Sequence, residues 1–175
     1  MRRNASALWS GSGTGWSALK CLVKSSSLMP APCCNAATIV FVELERLKAG
    51  MTGSAELRVG EEHTAPRVGS GKVHVLATPV MINLIEAAAL DAVERLLPPG
   101  YQSLGTLLQV RHIAATPVGM RINAKVEVTR VEGRTIVFGV KVFDEIELIG
   151  DGSHERVVVN VAKFDARVQR KLNPP

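Results

Sequence analysis

Between residues 79 and 97 the apolar positions Met81, Leu84, Ile85, Ala88, Ala92 and Leu96 recur three and four apart, the spacing of one face of an α-helix. Thr78 stands where an N-cap belongs, Pro79 falls at the first helical position, where its missing N–H costs nothing, and Pro98, Pro99 and Gly100 stop the helix. Downstream the period changes to two. Met120, Ile122, Ala124, Val126 and Val128 alternate with Arg121, Asn123, Lys125, Glu127 and Thr129, which predicts a half-buried strand. Further strands are predicted over 103–115, 135–143 and 156–164, separated by turns at Thr116-Pro117-Val118-Gly119, Glu132-Gly133 and Gly150-Asp151-Gly152. Before the helix, the Val- and Thr-containing stretch 55–68 reads as a strand or a pair of short strands, closed by Gly69-Ser70-Gly71. One long helix and about five antiparallel strands define an α+β domain in which a sheet, apolar on one face, curls around the helix.

Residues 1–43 follow no such pattern. Before the first acidic residue, Glu43, stand four basic side chains, both tryptophans and all three cysteines (Cys21, Cys33, Cys34). Residues 43–175 hold 17 basic against 16 acidic side chains, so all but one of the +5 net charge belongs to the tail and the domain has no nucleic-acid footprint. The tail reads as non-native, from a start codon assigned too far upstream, or else as a targeting segment or a disordered arm; GSGTG interrupts any amphipathic helix there. The fold-bearing domain is then 44–175, with a cytoplasmic location unless the tail is a real transit peptide. Three cysteines outside the domain staple nothing, and His63, His74, His112 and His154 lack metal-ligand spacing. The stretch 36–42 is too short to span a membrane, and the long helix carries Asn83, Glu86, Asp91, Glu94 and Arg95.

Glu86 is the polar residue that stands out. It sits among Leu84, Ile85 and three alanines, where a buried carboxylate needs a partner or a chemical task. Its spacing from Asn83 and Glu94 equally fits a solvated stripe along the helix.

Three separated segments, ATPVMINLIEAAA (77–89), SLGTLLQVRHIAATPVG (103–119) and GSHERVVVNVAKF (152–164), together resemble the hotdog-fold thioesterases related to fluoroacetyl-CoA thioesterase. The resemblance covers roughly residues 47–170. It implies a hotdog fold, a homodimer, possible further pairing of dimers aside, whose sheets join edge to edge, and acyl-CoA pockets at the dimer interface. It also implies catalytic roles for Thr78, Glu86 and His112, a backbone approach to the thioester oxygen at Gly105, and a substrate-binding role for Arg156. The family's phenylalanine-bearing lid insertion has no counterpart here, since 64–77 contains no Phe, so fold and chemistry carry over and the fluoroacetyl group does not.

The chemistry agrees with those residue types. Thioester hydrolysis needs a nucleophile or an activated water and N–H donors for the oxyanion, while a thiolate leaving group with a pKa of about 8.5 departs unassisted. Glu86 suits a nucleophile or base and His112 a base or proton shuttle, with no metal or cofactor beyond the CoA of the substrate. Taken singly, Thr78 is explained as a cap, His112 as an edge histidine, Gly105 as a bulge, and Arg156 as a partner of Glu155 or Asp144. Lys125, Arg130, Arg134, Lys163 and Arg167 are candidates for the CoA phosphates. The alternative function is a non-catalytic hotdog module that binds an acyl-CoA or acyl ligand. Such a module has no need of Thr, Glu and His together.

Overall fold

The computed structural model describes residues 44–172. The expectations for the tail lie outside them. Strand β1 (Thr52–Arg58) leads through a 3-10 turn (Glu61–His63) and a single helical turn, α1 (Ala65–Val68), to the long helix α2 (Thr78–Val93). A second 3-10 turn (Glu94–Leu96) ends that helix, and β2 (Tyr101–His112), β3 (Arg121–Glu132), β4 (Thr135–Phe143) and β5 (Leu148–Asn160) follow before a last helix, α3 (Val161–Leu172). The five strands form one antiparallel sheet in the order β1-β3-β4-β5-β2, so β1 and β2 are its edges.

The alternation read from the sequence becomes the core. Ile122, Ala124, Val126 and Val128 on β3 and Ile136, Phe138, Val140 and Val142 on β4 are buried beneath Met81, Leu84, Ile85, Ala88, Ala89 and Val93 of α2. Side chains on one face of each strand point the same way, so a sheet of this pattern has a single solution for its buried face.

Four expectations change. The stretch 55–68 is not all strand, because β1 stops at Arg58 and the chain then turns helical; Pro66 lies in the first turn of α1, where its fixed φ fits, and Gly69 closes α1 at φ 76°. Gly150-Asp151-Gly152 is not a turn but the interior of β5. A Cβ at Gly150 would lie 2.9 Å from Met81 Sδ, and one at Gly152 would overlap the Gln109 carbonyl, so these glycines serve close packing. The last strand runs from 148 to 160 instead of 156 to 164, and α3 replaces its end, with Asn160 Oδ1 accepting from the Lys163 N–H at 3.1 Å as an N-cap does.

The fourth concerns Thr78. It is the first residue of α2 and Ala77 is the N-cap, so the Thr78 hydroxyl caps nothing.

Candidate active site

The freed hydroxyl of Thr78 meets His112 at the end of β2, with Oγ1 2.9 Å from Nδ1. The contact joins two residues of a single chain. Burial holds the His112 imidazole below its ordinary value, favouring the neutral ring. In the neutral tautomer protonated at Nε2, a lone pair on Nδ1 accepts the threonine proton; Nε2 is buried with no hydrogen-bond partner among the described residues. Thr78 and His112 face a cavity of about 310 Å³ whose other walls include Ala65, Val75, Leu76, Ile113 and Ala115. Among the described residues no Phe, Tyr or Trp lines it.

Glu86 does not line this cavity. Eight residues from Thr78, it lies about 12 Å further along a helix that rises 1.5 Å per residue. Its side chain is 39% exposed, so it is not the deeply buried acid that its neighbours in sequence suggested. Glu86 faces Gly105 and Arg156 instead. A Cβ on Gly105 would overlap Glu86 Oε1 and approach His154 Cε1 to 3.1 Å, and the β2–β5 register slips between Gly105 and Leu107. Gly105 is thus both a bulge and the place where strand backbone comes up against the carboxylate.

Arg156 approaches Glu86 Oε1 with Nη1 at 3.8 Å. Its stronger bonds lie elsewhere. The buried guanidinium donates from Nε to Ser103 Oγ (2.9 Å), from Nη2 to the Ser103 carbonyl (2.8 Å) and from Nη1 to His154 Nε2 (3.3 Å). His154, fully buried and stacked on Phe138, has Nδ1 2.9 Å from the Leu107 carbonyl. A carbonyl only accepts, so Nδ1 carries the proton and the Nε2 lone pair is left for Arg156. Ser103 in turn donates its hydroxyl to Glu94 Oε2 at 2.7 Å. Arg156 pairs with neither Glu155 nor Asp144. Burial lowers the basicity of its guanidinium, and the charges of Glu86 and Glu94 oppose that shift.

The five residues read from the sequence therefore fall into two groups, Thr78 with His112 and Glu86 with Gly105 and Arg156. His154, Ser103 and Glu94 were missed. Among the candidates for CoA phosphates, Arg130 is paired with Glu132 at 2.9 Å and Lys125 lies 5.9 Å from the Phe143 ring centroid, while Arg134, Lys163 and Arg167 are exposed and form no ion pair among the described residues. No cluster of metal-ligating side chains and no helix long and apolar enough to cross a membrane occurs among the described residues.

Burial also pushes the His154 imidazole below its ordinary value of 6.5, with the neighbouring Arg156 charge acting in the same direction. An unfolded chain then takes up protons on His112 and His154 near pH 6.5 that the folded chain refuses, so stability is full above that pH and falls as pH drops toward the lower folded values. Melting temperatures measured between pH 8 and 5 are expected to decline below 6.5, and a flat profile would contradict the neutral assignment.

A helix lying against a curled five-stranded antiparallel sheet, with a hydroxyl–imidazole pair on a cavity wall, defines a hotdog-fold domain with a site suited to acyl transfer. The fluoroacetyl-CoA-specific thioesterase family, FlK, matches residues 59–162. The fluoroacetyl-CoA thioesterase of Streptantibioticus cattleyicolor is 42% identical over 97 residues, which cover 55% of this chain and 70% of that protein. An FlK point mutant solved in complex with acetyl-CoA superposes with a TM-score of 0.68 at 32% identity, over 74% of this chain and all of that one. A Thermus thermophilus thioesterase-superfamily member superposes equally well, at 0.68, with 29% identity over 72% of this chain and 93% of its own. The chain belongs to the fluoroacetyl-CoA-specific thioesterase family and is a thioester hydrolase.

Proposed function

We propose that the protein hydrolyses the thioester of a small or medium acyl-CoA to free acid and CoA, at a site assembled from two copies of the chain. The observation that carries this reading is the Thr78–His112 pair on the wall of a cavity, in a family of thioesterases. The cavity is walled by Ala65, Val75, Leu76 and Ile113, which suits an alkyl chain and lacks the phenylalanines expected of a fluoroacetyl lid.

Within one chain the two groups of residues are too far apart to act on one carbonyl. Strand β2, which carries His112 and Gly105, is an edge strand of 12 residues, and edge strands are stabilised by pairing. A homodimer joined through this edge, possible higher assembly aside, brings Glu86 of the partner subunit toward the Thr78–His112 pair. Glu86 acts as nucleophile or as base towards water. In either case the C–S bond breaks, sulfur leaves as the CoA thiolate, and the oxygen gained by the acyl carbon comes from water. The backbone at Gly105 holds the carbonyl end of the substrate, and the buried Arg156, bonded to Ser103 and His154, braces that part of the sheet. No metal or cofactor takes part, and nucleic acid and membrane are not partners. A cytoplasmic location, where CoA thioesters are made and consumed, belongs to the same proposal.

Free-thiol release measured across acetyl-, butyryl-, hexanoyl-, octanoyl- and fluoroacetyl-CoA tests it. Turnover is expected to peak among the short and medium alkyl chains. A protein that binds acyl-CoA and releases no thiol from any of them would be the non-catalytic module instead.

A further inference from the structure

Glu86 and Glu94 are two turns apart on the same side of α2 and its 3-10 extension, and Arg156 lies between their reaches. Glu86 touches the guanidinium directly but at 3.8 Å, longer than a hydrogen bond. Glu94 reaches it through Ser103, whose N–H and O–H both point at the Glu94 carboxylate, at 3.3 Å to Oε1 and 2.7 Å to Oε2 respectively. A serine hydroxyl has one proton. With that proton committed to Glu94, the Ser103 oxygen presents only lone pairs to Arg156, and it receives the Nε–H at 2.9 Å.

We propose that Glu94 is a positioning residue that, by orienting the Ser103 hydroxyl, draws the Arg156 guanidinium away from Glu86 and leaves that carboxylate free to act. Ser103 holds Nε and Nη2 and His154 holds Nη1, the nitrogen nearest Glu86, so the Arg156 plane is fixed by three bonds that do not involve Glu86. Without Glu94 the Ser103 hydroxyl has no acceptor to fix its proton, and its lone pairs are no longer held on the guanidinium. The guanidinium then turns toward the remaining carboxylate, and a close Arg156–Glu86 pair blunts Glu86 as nucleophile or base. Glu94 never touches substrate in this account, and the inference rests on the thioesterase reading of Glu86.

The test compares Glu94→Ala, Glu94→Gln and Ser103→Ala in the full chain. Glu94→Ala is expected to lower kcat about tenfold with KM changed by less than about twofold, because the loss falls on the transition state and not on binding. Glu94→Gln, whose amide oxygen still accepts the Ser103 proton, is expected to recover most of kcat. Ser103→Ala should reproduce the Glu94→Ala loss, and the double substitution should add nothing further, as for two links of one chain. Independently of activity, the Arg156 Nε–H signal in ¹⁵N-resolved NMR should exchange slowly with water in the parent protein and in Glu94→Gln, and rapidly in Glu94→Ala and Ser103→Ala. Folded Glu94→Ala protein with unaltered kcat and an unaltered Nε–H signal would overturn the proposal. If Glu94→Ala does not fold, the Ser103→Ala and Glu94→Gln arms decide. Should the parent protein hydrolyse no acyl-CoA, the thioesterase reading falls, and the NMR arm still decides whether Glu94 positions Arg156.

Discussion

Glu86→Gln is expected to lower turnover by about 10²–10⁴-fold, the range in which a positioned acid or base contributes, while the protein stays folded and keeps its affinity for substrate. The two halves of that expectation come from different features. Glutamine has the size and hydrogen-bonding reach of glutamate but is neither a base nor a nucleophile at neutral pH. Stability should survive because Glu86 is 39% exposed and its ion pair with Arg156 is long, and exposed pairs contribute little. Thiol release, read beside binding of a non-hydrolysable acyl-CoA ether, separates the two halves. Near-parent turnover in Glu86→Gln would remove the carboxylate from the chemistry.

Arg156→Met should have the opposite profile, with the largest effect on stability. The substitution leaves the Ser103 carbonyl, the Ser103 hydroxyl and His154 Nε2 without their donors in a region closed to water. Removing one partner of a buried charged network costs about 3–5 kcal/mol, since each stranded group keeps its desolvation penalty. Arg156→Lys is not expected to restore the loss. A lysine ammonium cannot serve two atoms of Ser103 and one of His154 from a single planar fork. Chemical denaturation measures the difference, and a loss below about 1 kcal/mol would mean that the network is not the clamp described above.

Much of this arrangement was legible in the sequence because it is periodic. The alternation from Ile122 to Val128 placed the buried face of β3, and the three- and four-residue spacing from Met81 to Ala88 placed the buried face of α2. Errors came where one residue type serves two purposes. Gly150 and Gly152 look like a turn, yet they keep strand backbone close to Met81 and to the Gln109 carbonyl. Thr78 looks like a cap, and its hydroxyl goes to a histidine 34 residues away. The helix α3 had a signal in Asn160 followed by Val161, Phe164 and Val168, but the run Val157-Val158-Val159 before it made a longer strand the simpler reading.

The candidate site divides in the same way. Glu86 stood out among its apolar neighbours, whereas catalytic or binding roles for Thr78, His112, Gly105 and Arg156 came from the resemblance. Their separation into two groups follows from the rise of a helix, which puts Thr78 and Glu86 about 12 Å apart. His154, Ser103 and Glu94 gave no local signal, because what makes them matter is contact between distant strands; Arg156 and Ser103 are 53 residues apart. Buried polar networks of this kind become visible only when the register is known, as in Gly105 opposite Arg156 and Leu108 opposite His154.

The central claim is that Thr78 and His112 of one subunit act with Glu86 of the partner subunit on one thioester. Mixing Thr78→Ala and Glu86→Gln proteins, each inactive alone, and allowing subunits to exchange tests it most directly. In a heterodimer a shared site collects both lesions in one pocket and leaves the other intact, so random exchange of equal amounts should restore about a quarter of the parent thiol-release rate. If heterodimers form and the rate stays at the level of the separate variants, each site lies within one chain and the shared-site account is wrong.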